Sequence, residues 1–148
     1  MSFKELFSNH IADLTKRCDE ILTDMGREVL VLGSGSESVY FEDDQHLPFR
    51  PSHHFGWFCP HKAPESLLVI RKGQKPELLL FQPVDFWYDH ANVSSEFWAS
   101  SLEVKSFTTI DDMWDALNSD LKSEKNILFD GPQGRQQDRA KLSGYLIN

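Results

Sequence analysis

The stretch SLLVIRKGQKPELLLF, Ser66 to Phe81, decides the fold. Two short apolar runs, Leu67 to Ile70 and Leu78 to Phe81, flank Lys72-Gly73-Gln74-Lys75-Pro76. Gly73 tolerates the positive φ of a tight turn and Pro76 pre-sets its own φ, so the spacing predicts a β-hairpin. Neither run alternates apolar with polar. Strands of that kind belong to a sheet covered on both faces. Covered sheets are usually parallel and a hairpin is antiparallel, so the chain reads as an α/β domain with a mixed β-sheet flanked by helices.

The flanking sequence agrees. Ser2-Phe3-Lys4-Glu5 has the capping-box spacing, with a hydroxyl at the cap and a carboxylate three residues on. Phe3, Leu6, Phe7, Ile11, Leu14, Cys18, Ile21, Leu22 and Met25 then recur at three- and four-residue steps, which predicts an amphipathic helix stopped at Gly26. Glu28 to Leu32 predicts a strand, Gly33 to Ser36 a turn and Ser38 to Glu42 a second strand. Asp43 to Lys62 reads as irregular. Ser94 to Trp98 reads as a short helical piece, and Leu102 to Phe107 as a strand. Thr109 caps a helix with Ile110, Met113, Trp114, Leu117 and Leu121 on its apolar face, and Asp111 and Asp112 lie in its first turn, where the helix dipole favours them. Asn126 to Asp130 predicts another strand and Gln137 to Leu146 a last helix.

The 148 residues suffice for one domain with a sizeable core. A formal net charge of -8 argues against a general nucleic-acid binder, which needs a basic face. Two cysteines, Cys18 and Cys59, make no disulfide framework, and Cys18 falls on the apolar helix face as a small hydrophobe. No apolar stretch approaches the ~20 residues that span a bilayer. These features predict a cytoplasmic protein with no membrane and no nucleic-acid partner.

No self-contained active site emerges. Gly33-Ser34-Gly35-Ser36 follows a strand but lacks the third glycine of a dinucleotide fingerprint and the Gly-Lys-Ser/Thr of a P-loop, so it reads as a plain turn. His46, His53, His54, Cys59 and His61 cluster in sequence, yet their spacing matches no zinc motif, and they read as loop histidines facing solvent or a partner. Adjacent Asp43 and Asp44 read as a solvated turn. Phe86-Trp87-Tyr88 holds more consecutive aromatics than one face of a strand can bury. From the residues alone, this aromatic-rich irregular face suits a binding or subunit-interface module.

The segments VYFEDDQHLPFRPSHHFGWFCP (Val39 to Pro60) and KPELLLFQPVDFWYD (Lys75 to Asp89), behind a helix carrying Asn9-His10-Ile11, closely resemble the N-terminal domain of bacterial Xaa-Pro dipeptidases. The resemblance is to the prolidase subgroup that includes organophosphorus acid anhydrolases, and it runs nearly the whole chain. It implies a non-catalytic domain over residues 1–148 that supports dimerisation and lines a substrate pocket. A pita-bread metallopeptidase domain that holds two metal ions, usually manganese, would follow in the parent protein. The resemblance implies no catalytic residue and no metal ligand in this chain, which alone should not cleave dipeptides. It implies a homodimer in which this domain leans over the partner's active site. Trp87 resembles the residue that walls the small substrate pocket, and Asp44 the one that reaches the substrate's amino end. The stretch from His53 to His61 holds more histidine than the family pattern.

Overall fold

The computed structural model describes residues 1–42, 45–85, 92–124, 126–131, 139 and, for backbone alone, 145–147. Helix α1 (Phe3–Asp24) leads into β1 (Val29–Gly33), a short α2 (His53–Phe58), β2 (Leu67–Arg71), β3 (Glu77–Phe81), β4 (Glu103–Phe107), α3 (Ile110–Asp120), β5 (Ile127–Asp130) and β6 (Tyr145–Ile147). The strands form one sheet in the order β4-β3-β2-β1-β5-β6. The predicted hairpin is present: β2 pairs antiparallel with β3, and with β1 on its other side. The pairs β1–β5, β3–β4 and β5–β6 are parallel. The sheet is therefore mixed.

Strand alternation sends each apolar run to both faces at once. Leu68, Ile70, Leu78 and Leu80 meet Ile11, Phe55 and Phe58 under α1 and α2. Leu67, Val69 and Leu79 meet Met113, Trp114 and Leu117 of α3. Most of these side chains are fully buried. At roughly 1.5–3 kcal/mol per large apolar side chain, the two clusters supply the main driving force for folding. This two-sided burial is why the strands show no polar alternation.

Local chemistry sets the helix ends. Ser2 and Glu5 form the capping box, with Ser2 Oγ accepting from Glu5 N at 3.3 Å and the Glu5 carboxylate accepting from Ser2 N at 2.6 Å. These bonds lower the Glu5 pKa. Gly26 follows α1 with φ 64°, a conformation that suits glycine. Thr109 Oγ1 accepts from Asp112 N at the start of α3.

Three expectations are corrected. Ser38 to Glu42 forms no strand: its pairing is the single bridge Val39↔His46. Phe41 is 91% exposed, and a β-prone run without a half-buried surface to fit gains little from pairing. Within the supposedly irregular stretch, His53 to Phe58 is helical, and Phe55 and Phe58, three apart, are both buried. Six residues are too few for that periodicity to stand out. Tyr145 to Ile147 is a strand, where the sequence predicted the end of a helix, because β5 offers a parallel edge on which it pairs. Of the rest of that predicted helix, Arg139 is helical and the other positions lie outside the described residues. The expected helical piece near Ser94 is a pair of 3-10 turns, Val93–Ser95 and Ala99–Ser101.

Cys59 shows how completely the α1 face is sealed. It is fully buried, and burial pushes its thiol up to about 12 from 9.0. Between these values the folded chain keeps a proton that the unfolded chain releases. Stability contributed by the protonated thiol is thus complete below pH 9 and falls as pH rises towards 12, by up to ~1.4 kcal/mol per pH unit. Urea unfolding from pH 8 to 11 should show this slope for the parent chain and a shallower one for Cys59→Ala. Equal slopes would contradict it.

Candidate functional site

β1, β2 and β3 meet the same end of the sheet at two buried serines, Ser34 and Ser66, both with no exposed surface. Ser34 N donates to Ser66 O at 2.9 Å, which extends the β1–β2 ladder by one rung. Ser66 N donates to Ser34 Oγ at 3.0 Å, and Phe81 N donates to Ser66 Oγ at 3.0 Å. Ser52, the residue before α2, donates from N to Ser34 O at 2.9 Å and from Oγ to Gly33 O at 2.7 Å. Glu65 N donates to Gly35 O at 2.7 Å. Buried polar groups must be paired, and here the pairs tie three strand ends and α2 into one polar knot.

Two segments leave this knot. A strap from Ser38 to Leu47 folds back on itself, with Tyr40 N donating to Gln45 O and Leu47 N to Ser38 O. The Glu37 carboxylate lies 3.5 Å from His46 Nδ1 across its base. The second segment is the exit from β3, where Gln82 N donates to Phe107 O at 2.8 Å before Pro83. The strap and the exit line one cavity of about 540 Å³, with Val39 and His46 on one side and Phe81, Gln82 and Pro83 on the other. Glu37, His61, Lys62, Ala63, Pro64 and Glu65 complete its wall. A lining that mixes carboxylates, imidazoles and an ammonium with apolar side chains suits a small polar ligand or a polar segment of another chain. Phe41 on the strap and Val84 on the exit are exposed.

Asp43 and Asp44, with Phe86, Trp87 and Tyr88, lie outside the described residues. The two predicted substrate residues, Asp44 and Trp87, therefore have no described geometry. Their flanks do, and those flanks converge on one cavity although about forty positions separate them in sequence.

The described histidines form no single cluster, although His46 and His61 both line this cavity. His46 faces Glu37, and His61 packs against Trp98 with ring centroids 5.8 Å apart. His54 sits on α2 and pairs through Nδ1 with Asp130 at the end of β5. Cys59 Sγ points to His61 O at 3.9 Å. Among the described residues no three His, Cys, Asp or Glu side chains gather as a metal site. Sequence reasoning missed Ser34 and Ser66, which look like ordinary turn residues, and missed the pairing of His54 with Asp130. The signal for the serines was available: each sits at the end of an all-apolar strand, where a hydroxyl needs a partner.

Comparison with known proteins gives the lineage. A family model described as Xaa-Pro dipeptidase, N-terminal domain, matches residues 5–143. The chain is 36% identical over 141 residues to the Xaa-Pro dipeptidase of Shewanella pealeana and 33% identical over 140 residues to that of Shewanella woodyi. These alignments cover 95% and 94% of this chain but 31% and 30% of the relatives. The chain belongs to the Xaa-Pro dipeptidase N-terminal domain family, and it spans less than a third of the length of these peptidases. Solved structures share the fold. The aminopeptidase PepP of Pseudomonas aeruginosa superposes with TM-score 0.61 at 14% identity, over 92% of this chain and 30% of that one. Aminopeptidase P of E. coli in its low-pH form gives 0.57 at 16% identity, over 85% and 30%.

The knot has a direct test. Ser66→Ala removes the acceptor for the part-buried Phe81 N–H, which should cost about 1 kcal/mol or more in urea unfolding and accelerate hydrogen exchange at the Phe81 amide. Unchanged stability together with unchanged Phe81 protection would show that the knot does not fix the β3 exit.

Proposed function

We propose that this chain is the pocket-lining and dimer-supporting N-terminal domain of a cytoplasmic, metal-dependent Xaa-Pro dipeptidase, which hydrolyses dipeptides ending in proline. The observation that carries the reading is the convergence of the strap and the β3 exit on one cavity, because these are the two segments that carry the resemblance. Membership of the family supports it. No helix among the described residues is long and apolar enough to cross a membrane.

In this reading the domain works by shape and charge. Asp44 holds the cationic amino end of the substrate through a charge-assisted contact. Trp87 supplies a large rigid wall that limits pocket size and excludes water. Both act on the active site of a second subunit. The hydrolytic chemistry belongs to two divalent metal ions, manganese by resemblance, in the part of the protein beyond this domain. No hydrolytic step is assigned to this chain.

The exposure of Phe41 (91%) on the strap and Val84 (81%) on the β3 exit favours a second reading, a free-standing module that binds a peptide or protein through its aromatic-rich face. Substitutions in the full-length protein separate the two. Trp87→Ala should raise KM and widen the range of accepted dipeptides while bound metal stays constant. Asp44→Asn should weaken binding of dipeptides with a free amino terminus and leave N-blocked analogues unchanged. A parallel loss of metal and activity in Trp87→Ala would assign that ring to the core instead.

A further inference from the structure

Three described residues other than glycine hold a positive φ: Glu42 at 58°, Glu65 at 63° and Asn126 at 63°. Asparagine often adopts this left-handed region, and glutamate rarely does. Of the three, Glu65 lines the cavity between the strap and the β3 exit. It follows Pro64 in a turn, and positive φ straight after a turn proline is the position that favours glycine. The surrounding main chain holds it there. Glu65 N is committed to Gly35 O at 2.7 Å, and the next residue is Ser66 of the buried knot. Glycine would meet that geometry without strain. Strain of this kind at a cavity wall points to a task for the side chain.

The surroundings indicate the task. Glu65 is half-buried, and its carboxylate forms no ion pair among the described residues. The other ionisable groups of the wall are engaged or exposed. Glu37 lies 3.5 Å from His46, and His61 packs against Trp98. Lys62 is exposed, so water and salt screen its ammonium, and it does not close on Glu65 three positions away. With neutral histidines, the wall sets the carboxylates of Glu37 and Glu65 against the single ammonium of Lys62. A half-buried carboxylate without an internal partner is a receptor for an ammonium or guanidinium group. Val39, Phe81 and Pro83 in the same wall suit the methylene stem that carries such a group.

We propose that Glu65 is a specificity-determining residue that receives the basic side chain of a lysine or arginine, so that the peptidase favours dipeptides with a basic first residue. Asp44 takes the amino end in the peptidase reading, which leaves Glu65 for the side chain. The dipeptide preference rests on that reading, whereas the cation site itself does not.

Two experiments keep the site and the reading apart. The first titrates the parent chain with N-acetyl-argininamide, which has a guanidinium and no free amine, and follows binding by NMR. Glu65→Gln keeps the size and the backbone strain but loses the charge, and should weaken binding roughly tenfold. Glu65→Gly should weaken it as much and yet raise the urea midpoint, because the strain is relieved. The second experiment measures kcat/KM of the full-length protein for Arg-Pro and Leu-Pro. The ratio of the two should fall roughly tenfold in Glu65→Gln. A Glu65→Gly chain less stable than the parent would make Glu65 a structural residue and overturn the proposal. So would a parent chain that ignores the probe at roughly 10 mM, or a Glu65→Gln chain that binds it equally well. An unchanged Arg-Pro preference beside a working cation site overturns the substrate preference. A full-length protein that cleaves no Xaa-Pro dipeptide overturns the peptidase reading, and the titration still decides the cation site.

Discussion

The candidate site hangs from two buried hydroxyls. Ser34 and Ser66 lie where three apolar strands end, and each hydroxyl oxygen accepts a main-chain N–H, that of Ser66 buried and that of Phe81 part-buried. In an apolar setting such bonds are costly to break, so the directions of the chain at the end of β1, the start of β2 and the end of β3 are fixed together. Ser52 couples α2 to the same point. The strap and the β3 exit inherit their placement from this knot. The cavity between them is a consequence of how the sheet ends.

The two faces of the sheet depend on a different and simpler rule. Each strand carries apolar side chains on both sides, and α1 with α2 covers one face while α3 covers the other. That rule was legible in the sequence. The all-apolar runs of β2 and β3, the turn at Gly73, the capping box at Ser2 and the Thr109 cap each have a local cause, and each appears as expected. Elements without a local cause were not legible. Val39 to Phe41 has the composition of a strand and no sheet edge to join. The helix His53–Phe58 is only six residues long, and tertiary burial of Phe55 and Phe58 holds it. The strand Tyr145–Ile147 depends on β5 as its neighbour.

The site was legible in a different way. Motif resemblance pointed to two segments far apart in sequence, and the fold brings their described flanks to one cavity. Local reading could not supply that convergence, because it follows from the antiparallel return of β2 to β3 beside β1. The histidines illustrate the reverse case. They are close in sequence and far apart in role: one faces Glu37 on the strap, one pairs with Asp130 and one packs against Trp98.

The central proposal is that Trp87, just past the described β3 exit, serves a pocket completed elsewhere in the assembled protein. Fluorine NMR of the full-length protein labelled with 5-fluorotryptophan tests it most directly, with a slowly cleaved Xaa-Pro dipeptide as the titrant and a Trp87→Phe variant to assign the resonance. The account predicts that the Trp87 signal shifts and saturates with the dipeptide, while those of the buried Trp98 and Trp114 stay in place. A dipeptide that binds and is cleaved while the Trp87 signal does not move would contradict it.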